Sequence, residues 1–250
     1  MRILVKLEST RTQPYQMEYH YHLQGFIYSM LKDGRFSKIH DKEGYKFFCF
    51  SNIFPACDLK QGDVRHLLIS SPDRDFIRHI SSRLQEKKRS GEKVSIGNME
   101  FDVKKAETLQ VSLKVPFTLI TGTPIVVRVP REKYEKFNVK TRYPYEYLYW
   151  RQEHPLEMFV EQLEDNLRKK YTEFTGRDAG NESIIQRFMF RKQVSTRVLM
   201  KGLQQVVIGS IWEFWFNDDI CKELLEFGLD CGFGERNSLG FGFMNVKLKT

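Results

Sequence analysis

Strand-like and helix-like periodicities alternate along this chain in an order that few architectures accommodate. Residues 2–8 alternate well enough for a strand. Leu23, Phe26, Ile27, Met30 and Leu31 then recur at i, i+3, i+4, i+7 and i+8, the spacing of one helix face, and Asp33-Gly34 ends the run. Residues 46–50 and 65–69 read as two further strands. Ser71-Pro72 opens a second helix, with the proline at or near the first helical position, Asp73 and Asp75 in the first turn, and Phe76, Ile77, Ile80 and Leu84 as its apolar face. The basic stretch 87–91 is expected as a loop, and short strands over 93–96 and 101–103 close the unit. That order is β-α-β-β-α-β, the ferredoxin-like arrangement.

A second round follows. Residues 124–129 read as a strand, and Pro155 starts an amphipathic helix through Leu156, Phe159, Val160, Leu163 and Leu167. Residues 184–199 and 203–215 are long enough for a hairpin. Asn217-Asp218-Asp219 is expected to cap a helix containing Ile220, Leu224 and Leu225, and residues 241–248 alternate as a last strand. The fold class expected is α+β, with two tandem ferredoxin-like (RRM-like) β-α-β-β-α-β domains over residues 1–115 and 116–250. The two rounds share element order, not a sequence repeat.

Composition narrows the function classes. Of the 250 residues, 41% are hydrophobic, enough for packed cores, which excludes a disordered chain. Lys plus Arg number 40 against 32 Asp plus Glu, a formal net charge of +8 that favours a polyanionic partner through counterion release. No apolar run approaches the roughly 18 residues of a membrane span, and the start, residues 1–8, reads as a strand and not a signal peptide. A cytoplasmic protein with no membrane partner is therefore expected. Cys49, Cys57, Cys221 and Cys231 form no C-x-x-C pair, so neither a zinc knuckle nor a redox pair is signalled.

The most distinctive stretch is Cys231-Gly-Phe-Gly-Glu-Arg-Asn-Ser-Leu-Gly-Phe-Gly242. Gly232, Gly234, Gly240 and Gly242 admit positive φ and let backbone N–H groups approach a ligand, while Arg236, Asn237 and Ser238 place donors suited to phosphate oxygens at the tip. The phosphate-binding order G-x-x-x-x-G-K-[ST] is absent, and the stretch does not follow a strand and open a helix as a dinucleotide fingerprint does. On its own it is read equally well as tight packing against a neighbouring helix.

In a basic chain with two ferredoxin-like rounds, a glycine-rich segment before the final strand resembles the RAMP superfamily of CRISPR-associated RNA-binding proteins. The form G-F-G-E-R-N-S-L-G-F-G is close to the motif of the CRISPR-associated protein 6 group, the repeat-cleaving endoribonucleases, and Tyr21-His-Leu-Gln-Gly-Phe-Ile-Tyr28 is similar to that group's first helix. The resemblance spans essentially the whole chain. It implies a metal-independent endoribonuclease that cuts CRISPR repeat transcripts into guide RNA units by attack of the 2′-hydroxyl, leaving 5′-hydroxyl and cyclic-phosphate ends, with no cofactor and no metal. CRISPR repeat RNA is the implied partner, with other CRISPR-associated proteins of an effector complex and a homodimer as candidate further ones. The alternative within the superfamily is a non-catalytic subunit that binds guide RNA in an effector complex.

Such cleavage needs a base for the 2′-hydroxyl, an acid for the leaving 5′-oxygen and a cation for the phosphorane charge, roles that suit histidine, tyrosine and lysine. Tyr28 lies on the first helix off its apolar stripe, His40 in the connection that follows, and Lys46 at the start of the next strand. Taken singly, Tyr28 reads as an amphipathic side chain at the edge of the core, His40 as a solvated loop histidine and Lys46 as one surface charge among many; matching on Leu-Gln-Gly-Phe-Ile-Tyr28 and Ile-His40-Asp-Lys-Glu-Gly-Tyr-Lys46 makes Tyr28, His40 and Lys46 the catalytic set the resemblance implies. His20 and His22 form an H-x-H pair that suits a metal on a strand but diverges on a helix, His66 and His79 read as structural, and His154, immediately before Pro155, marks a helix entry. A second basic cluster, Arg187, Arg191, Lys192, Arg197 and Lys201, interleaves with Phe188, Met189 and Phe190 around the second-round hairpin. It suits backbone neutralisation with base stacking, although strand alternation equally permits the aromatics to face the core. Arg168, Lys169 and Lys170 are explained by a helix C-terminal end, and the tyrosine-rich stretch 143–150 stays open between base stacking, a partner surface and core cover.

Overall fold

The computed structural model describes residues 1–200, 202–217 and 221–247. These fall into two compact units, the first of Met1–Val111 with Arg197–Gln205 and Ser238–Gly240, the second of Ser112–Thr196, Val206–Asn237 and Phe241–Thr250. Lys201, the cap residues Asp218 and Asp219, Ile220 and the strand end Leu248 lie outside the described residues. No helix among the described residues is long and apolar enough to cross a membrane.

In the first unit the chain runs through β1 (Arg2–Ser9), α1 (His20–Met30), β2 (Cys49–Phe50), β3 (Val64–Ser70), α2 (Arg74–Ser90), β4 (Val94–Ile96) and β5 (Met99–Leu109). The sheet order is β2-β3-β1-β5-β4, and its neighbours pair antiparallel. The alternation of β1 turns Ile3, Val5 and Leu7 inward, opposite Ile69, Leu67 and Arg65 of β3. They meet Leu23 and Ile27 of α1 and Phe76, Ile77, Ile80 and Leu84 of α2 in one core. Each such fully buried aliphatic side chain contributes about 1.5–3 kcal/mol. Asp73 caps α2 by accepting from the N–H groups of Asp75 and Phe76.

The second unit runs through β6 (Phe117–Thr121), β7 (Arg128–Pro130), α3 (Arg131–Lys136), β8 (Tyr147–Tyr149), α4 (Leu156–Thr175), β9 (Arg187–Met200), β10 (Leu203–Phe216), α5 (Lys222–Cys231) and β11 (Met244–Val246). Its sheet order is β11-β6-β10-β9. Counted along each βαββαβ round, both sheets read fourth, first, third, second strand, the order of the ferredoxin-like fold class expected from the succession of elements. The first sheet carries one added edge strand, β4, and the second unit a ribbon of β7 and β8. Trp212 of β10, fully buried, stacks on Phe159 of α4 at 4.2 Å between centroids and meets Trp150 at 5.5 Å.

Several local expectations are corrected. Residues 87–90 are the last turn of α2, not a loop: their cations lie at the negative end of the helix, and Gly91, at φ 68°, terminates it by donating to Lys87 O. The strand expected over 46–50 is reduced to Cys49–Phe50, and Phe47, at φ 50°, breaks the extended run. The first strand of the second round is Phe117–Thr121. Residues 124–127, led by a proline without an N–H to donate, make only isolated bridges from Ile125 and Val126 before β7. Helix α5 starts at Lys222, later than a cap at Asn217 implies. The last strand is confined to Met244–Val246, with Phe241 and Phe243 buried ahead of it.

Candidate active site

Three segments of the first unit converge. Helix α1 has its apolar stripe on Leu23, Phe26, Ile27 and Met30, which leaves Tyr28 half-buried at the edge of the core. The Tyr28 ring meets Phe48 edge-on at 5.8 Å and His40 edge-on at 5.1 Å. Burial raises the Tyr28 hydroxyl pKa above the ordinary tyrosine value.

His40 lies in the non-helical connection after α1, and its side chain is 65% exposed. Its Nδ1 donates to Asp41 Oδ1 at 2.8 Å. That bond assigns the proton to Nδ1 and leaves Nε2 as the basic nitrogen of the neutral ring. Lys46, placed ahead of the strand and not at its start, turns its ammonium back into the same connection. There it donates to Ile39 O at 3.0 Å, His40 O at 3.1 Å and Lys42 O. Lysine carries three donors, and here they cross-brace the backbone that presents the imidazole. Burial, with the Lys42 charge as a second cause, holds the Lys46 pKa below the ordinary lysine value. The structure thus brings Tyr28, His40 and Lys46 together.

The third segment is the tip of the glycine-rich stretch. Ser238, Leu239 and Gly240 belong to the first unit. Gln24 Nε2 donates to Ser238 Oγ at 3.1 Å, and His20 Nδ1 to Leu239 O at 2.9 Å. A Cβ on Gly240, at φ 82°, would lie 2.2 Å from the Phe50 ring. His20 is buried while His22 is exposed, so the H-x-H pair diverges on α1 as expected. His79 donates to Met30 O at 2.9 Å, and His66 stacks on Phe54.

The base of the stretch has a different logic. Lys170 is 2% exposed, and its ammonium donates to Gly232 O, to Gly234 O at 3.0 Å and to Asn237 Oδ1 at 3.1 Å. This corrects the helix-end reading of Lys170, because α4 continues to Thr175 and places that lysine under the loop. Asn237 Nδ2 donates to Phe233 O and Phe241 O, closing the loop on itself. Gly242, at φ 72°, has Phe233 O only 1.9 Å from where a Cβ would sit. Gly232, Gly234, Gly242 and Asn237 are therefore engaged in loop packing, and Arg236 and Ser238 are the polar side chains flanking and forming its tip. Sequence reasoning missed Gln24 and Lys170 as site residues. The i, i+4 spacing of Gln24 and Tyr28 was a usable signal, whereas nothing local marks Lys170 as buried.

On β9 the alternation decides what the sequence left open. Phe188 and Phe190 turn inward, edge-on to Trp212 at 5.8 and 5.2 Å. Arg187, Met189, Arg191 and Arg197 share the other face, and Lys192 is exposed as well. Arg187 lies over the Trp215 ring at 5.4 Å, and Arg191 pairs with Glu213 at 2.7 Å. In the tyrosine-rich stretch, Trp150 is core, Tyr147–Tyr149 is strand, and Tyr143 and Tyr145 are exposed.

Each unit carries a ferredoxin-like sheet, and the glycine-rich tip is tied to α1 by His20 and Gln24, which together define the class of fold. A family model described as CRISPR associated protein Cas6, C-terminal, matches residues 110–246, more than half of the chain. The CRISPR-associated endoribonuclease Cas6 2 of Methanocaldococcus jannaschii is 36% identical over 236 residues, covering 89% of this chain and 90% of that protein. The CRISPR-associated endoribonuclease Cas6 of Haloferax mediterranei is 31% identical over 100% of this chain and 95% of its own. A solved structure of CRISPR associated protein Cas6 superposes with a TM-score of 0.73 at 26% identity, covering 99% of both chains. The chain belongs to the Cas6 family of CRISPR-associated proteins.

Proposed function

We propose that this protein is a metal-independent endoribonuclease that cuts CRISPR repeat transcripts, with Tyr28, His40 and Lys46 at the reacting phosphate. The observation that carries the reading is the convergence of the three on one connection, Tyr28 edge-on to His40 at 5.1 Å and Lys46 bracing the His40 carbonyl at 3.1 Å. Kinship with relatives named as Cas6 endoribonucleases at 36% and 31% identity supports the choice of RNA as substrate.

In this reading His40 Nε2 takes the proton from the substrate 2′-hydroxyl, whose oxygen attacks the adjacent phosphorus and forms the cyclic phosphate. The bond to the 5′-oxygen breaks, and Tyr28 donates a proton to that leaving oxygen or to the phosphorane. Lys46 supplies positive charge beside the phosphate and holds the His40 backbone in place. An imidazole, a phenol and an ammonium are groups for moving protons and stabilising anions, which supports a reaction without a divalent cation. Residues 1–115 carry the reacting groups, and residues 116–250 supply the glycine-rich stretch and the Arg187, Arg191, Lys192, Arg197 and Lys201 cluster for the RNA backbone.

The test is incubation of the purified protein with repeat RNA from its own source and assay of the ends. Fragments with 5′-hydroxyl and cyclic-phosphate ends support the reading. Tight binding without cleavage overturns it in favour of a non-catalytic guide-RNA subunit.

A further inference from the structure

The tyrosine-rich stretch ends in core at Trp150 but begins in solvent: Tyr143, Tyr145 and Tyr147 are 54%, 48% and 47% exposed. Surface apolar groups scattered singly need no explanation, whereas a contiguous cluster marks an interaction site. Tyr143 and Tyr145 stand edge-on at 6.1 Å, the Arg142 guanidinium lies over the Tyr143 ring at 5.4 Å, and that of Arg128 lies over Tyr147 at 5.2 Å. We propose that these three tyrosines, at the end of the β7–β8 ribbon, are a stacking platform for single-stranded nucleotides of the RNA, apart from the residues that carry the cleavage chemistry. The proposal rests on the choice of RNA as substrate in the reading above.

The rings are carried on a braced backbone. Tyr134 of α3, itself buried, donates its hydroxyl to Tyr145 O at 2.5 Å, Arg131 N–H donates to Glu146 O at 3.0 Å, and Thr141 Oγ1 donates to Tyr143 O at 2.6 Å. A tyrosine ring has only two side-chain torsions to fix, so little freedom is lost when a base stacks on a ring whose backbone is already held.

Charge selects the occupant. Along the ribbon and α3, Arg128, Arg131, Lys133 and Lys136 pair with Glu235, Glu135, Asp165 and Glu161. Lys140 and Arg142 are exposed and form no ion pair among the described residues, and residues 140–147 hold one carboxylate, Glu146. The uncompensated charge beside the rings is thus positive, and cations interleaved with aromatic rings suit the phosphates and bases of one strand. Arg128 also ties the ribbon to the glycine-rich stretch proposed for the RNA backbone. Its backbone N–H and its Nε both donate to the Glu235 carboxylate, at 3.2 and 2.6 Å, one residue before Arg236.

Equilibrium binding of repeat RNA to the full chain over a range of salt tests this, with single-turnover cleavage and thermal unfolding measured alongside. Tyr143→Leu and Tyr145→Leu keep apolar bulk but lose the ring, and each is expected to weaken binding on the order of tenfold at an unchanged slope of log affinity against log salt. Tyr143→Phe, which keeps the ring, stays within about twofold of wild type. Arg142→Gln instead reduces the slope by about 0.7, the share of one phosphate of a single strand. The cleavage rate at saturating protein and the melting temperature stay unchanged in all four. Equal affinity in wild type and both leucine variants overturns the proposal, and a wild-type dimer dissociated by the same changes would then make the rings a contact between copies. A slowed saturated rate at unchanged affinity overturns it as well. A wild type that binds without cutting, with the leucine variants weakened, removes the endoribonuclease reading and leaves the platform. Wild-type cutting and binding matched by both leucine variants removes the platform alone, and a wild type that binds no repeat RNA removes both.

Discussion

The Tyr28 ring stands edge-on to the His40 imidazole at 5.1 Å, joining a residue held by helix α1 to one carried on an exposed connection. The helix gives the phenol a fixed address, and the imidazole takes its orientation from that contact, from Asp41 at Nδ1 and from the Lys46 brace beneath it. In the proposed mechanism, removing the imidazole removes the proton acceptor without touching the core. His40→Ala is expected to lower the single-turnover rate by about 10²–10⁴-fold while RNA affinity and melting temperature stay within error. A parallel loss of affinity would reassign His40 to binding.

In the proposed mechanism Lys46 sets the alkaline side of the pH profile. Burial first, then the Lys42 charge, depresses its pKa, so its positive charge is lost at a lower pH than that of a surface lysine. The cleavage rate should therefore fall on the alkaline side as Lys46 deprotonates. Lys46→Arg keeps the charge to higher pH and moves that limb upward, even if the maximum rate drops. A pH–rate profile whose alkaline limb is the same in both proteins would contradict this.

Lys170 holds the base of the glycine-rich stretch from inside, through Gly232 O, Gly234 O and Asn237 Oδ1. Lys170→Met fills similar volume but leaves buried acceptors without a donor, at a cost of about 1–3 kcal/mol. Thermal unfolding should fall by several degrees, and cleavage should fall with it because the tip loses its frame. An unchanged melting temperature would show that the loop holds its shape without the lysine.

The fold was legible because its two signals are long-range in pattern but local in origin. The α1 stripe from Leu23 to Met30 and the alternation of Ile3, Val5 and Leu7 each follow from which side chains must leave water. What failed was local backbone detail. Phe47 at φ 50° cut short the strand expected from 46 to 50, and residues 124–129 read as the first strand of the second round while the sheet used Phe117–Thr121. The candidate site was legible only as three scattered residues. The Ser238 link to Gln24 spans 214 positions and the Lys170 link to Gly232 spans 62, separations that leave no periodicity to read.

The glycines separate into two kinds that substitution should distinguish. At Gly242 an alanine Cβ would lie 1.9 Å from Phe233 O at a φ of 72°, so Gly242→Ala is expected to prevent stable folding. Gly44, at φ 79°, has nothing within 4 Å, and Gly44→Ala should carry only the left-handed backbone penalty of roughly 1–2 kcal/mol. Chemical denaturation of both variants checks the contrast, and equal stability would contradict it.

The β9 cations differ in how much charge they have to give. Arg191 is neutralised by Glu213, and Arg187 is engaged with Trp215, while Arg197 is exposed on the same face. Arg197→Ala should weaken RNA binding and reduce the slope of log affinity against log salt by about 0.7 if it meets one phosphate of single-stranded RNA. Arg191→Ala should change that slope less. Equal slopes in wild type and Arg197→Ala would place the RNA elsewhere.

The central claim is metal-free attack by the substrate's own 2′-hydroxyl. Its most direct test is cleavage of end-labelled repeat RNA in excess EDTA, beside the same RNA carrying a single 2′-deoxy substitution at the cut. The account predicts full cleavage in EDTA and none at the deoxy position. Cleavage that stops in EDTA and returns with a divalent cation, or that continues at the deoxy position, would contradict it.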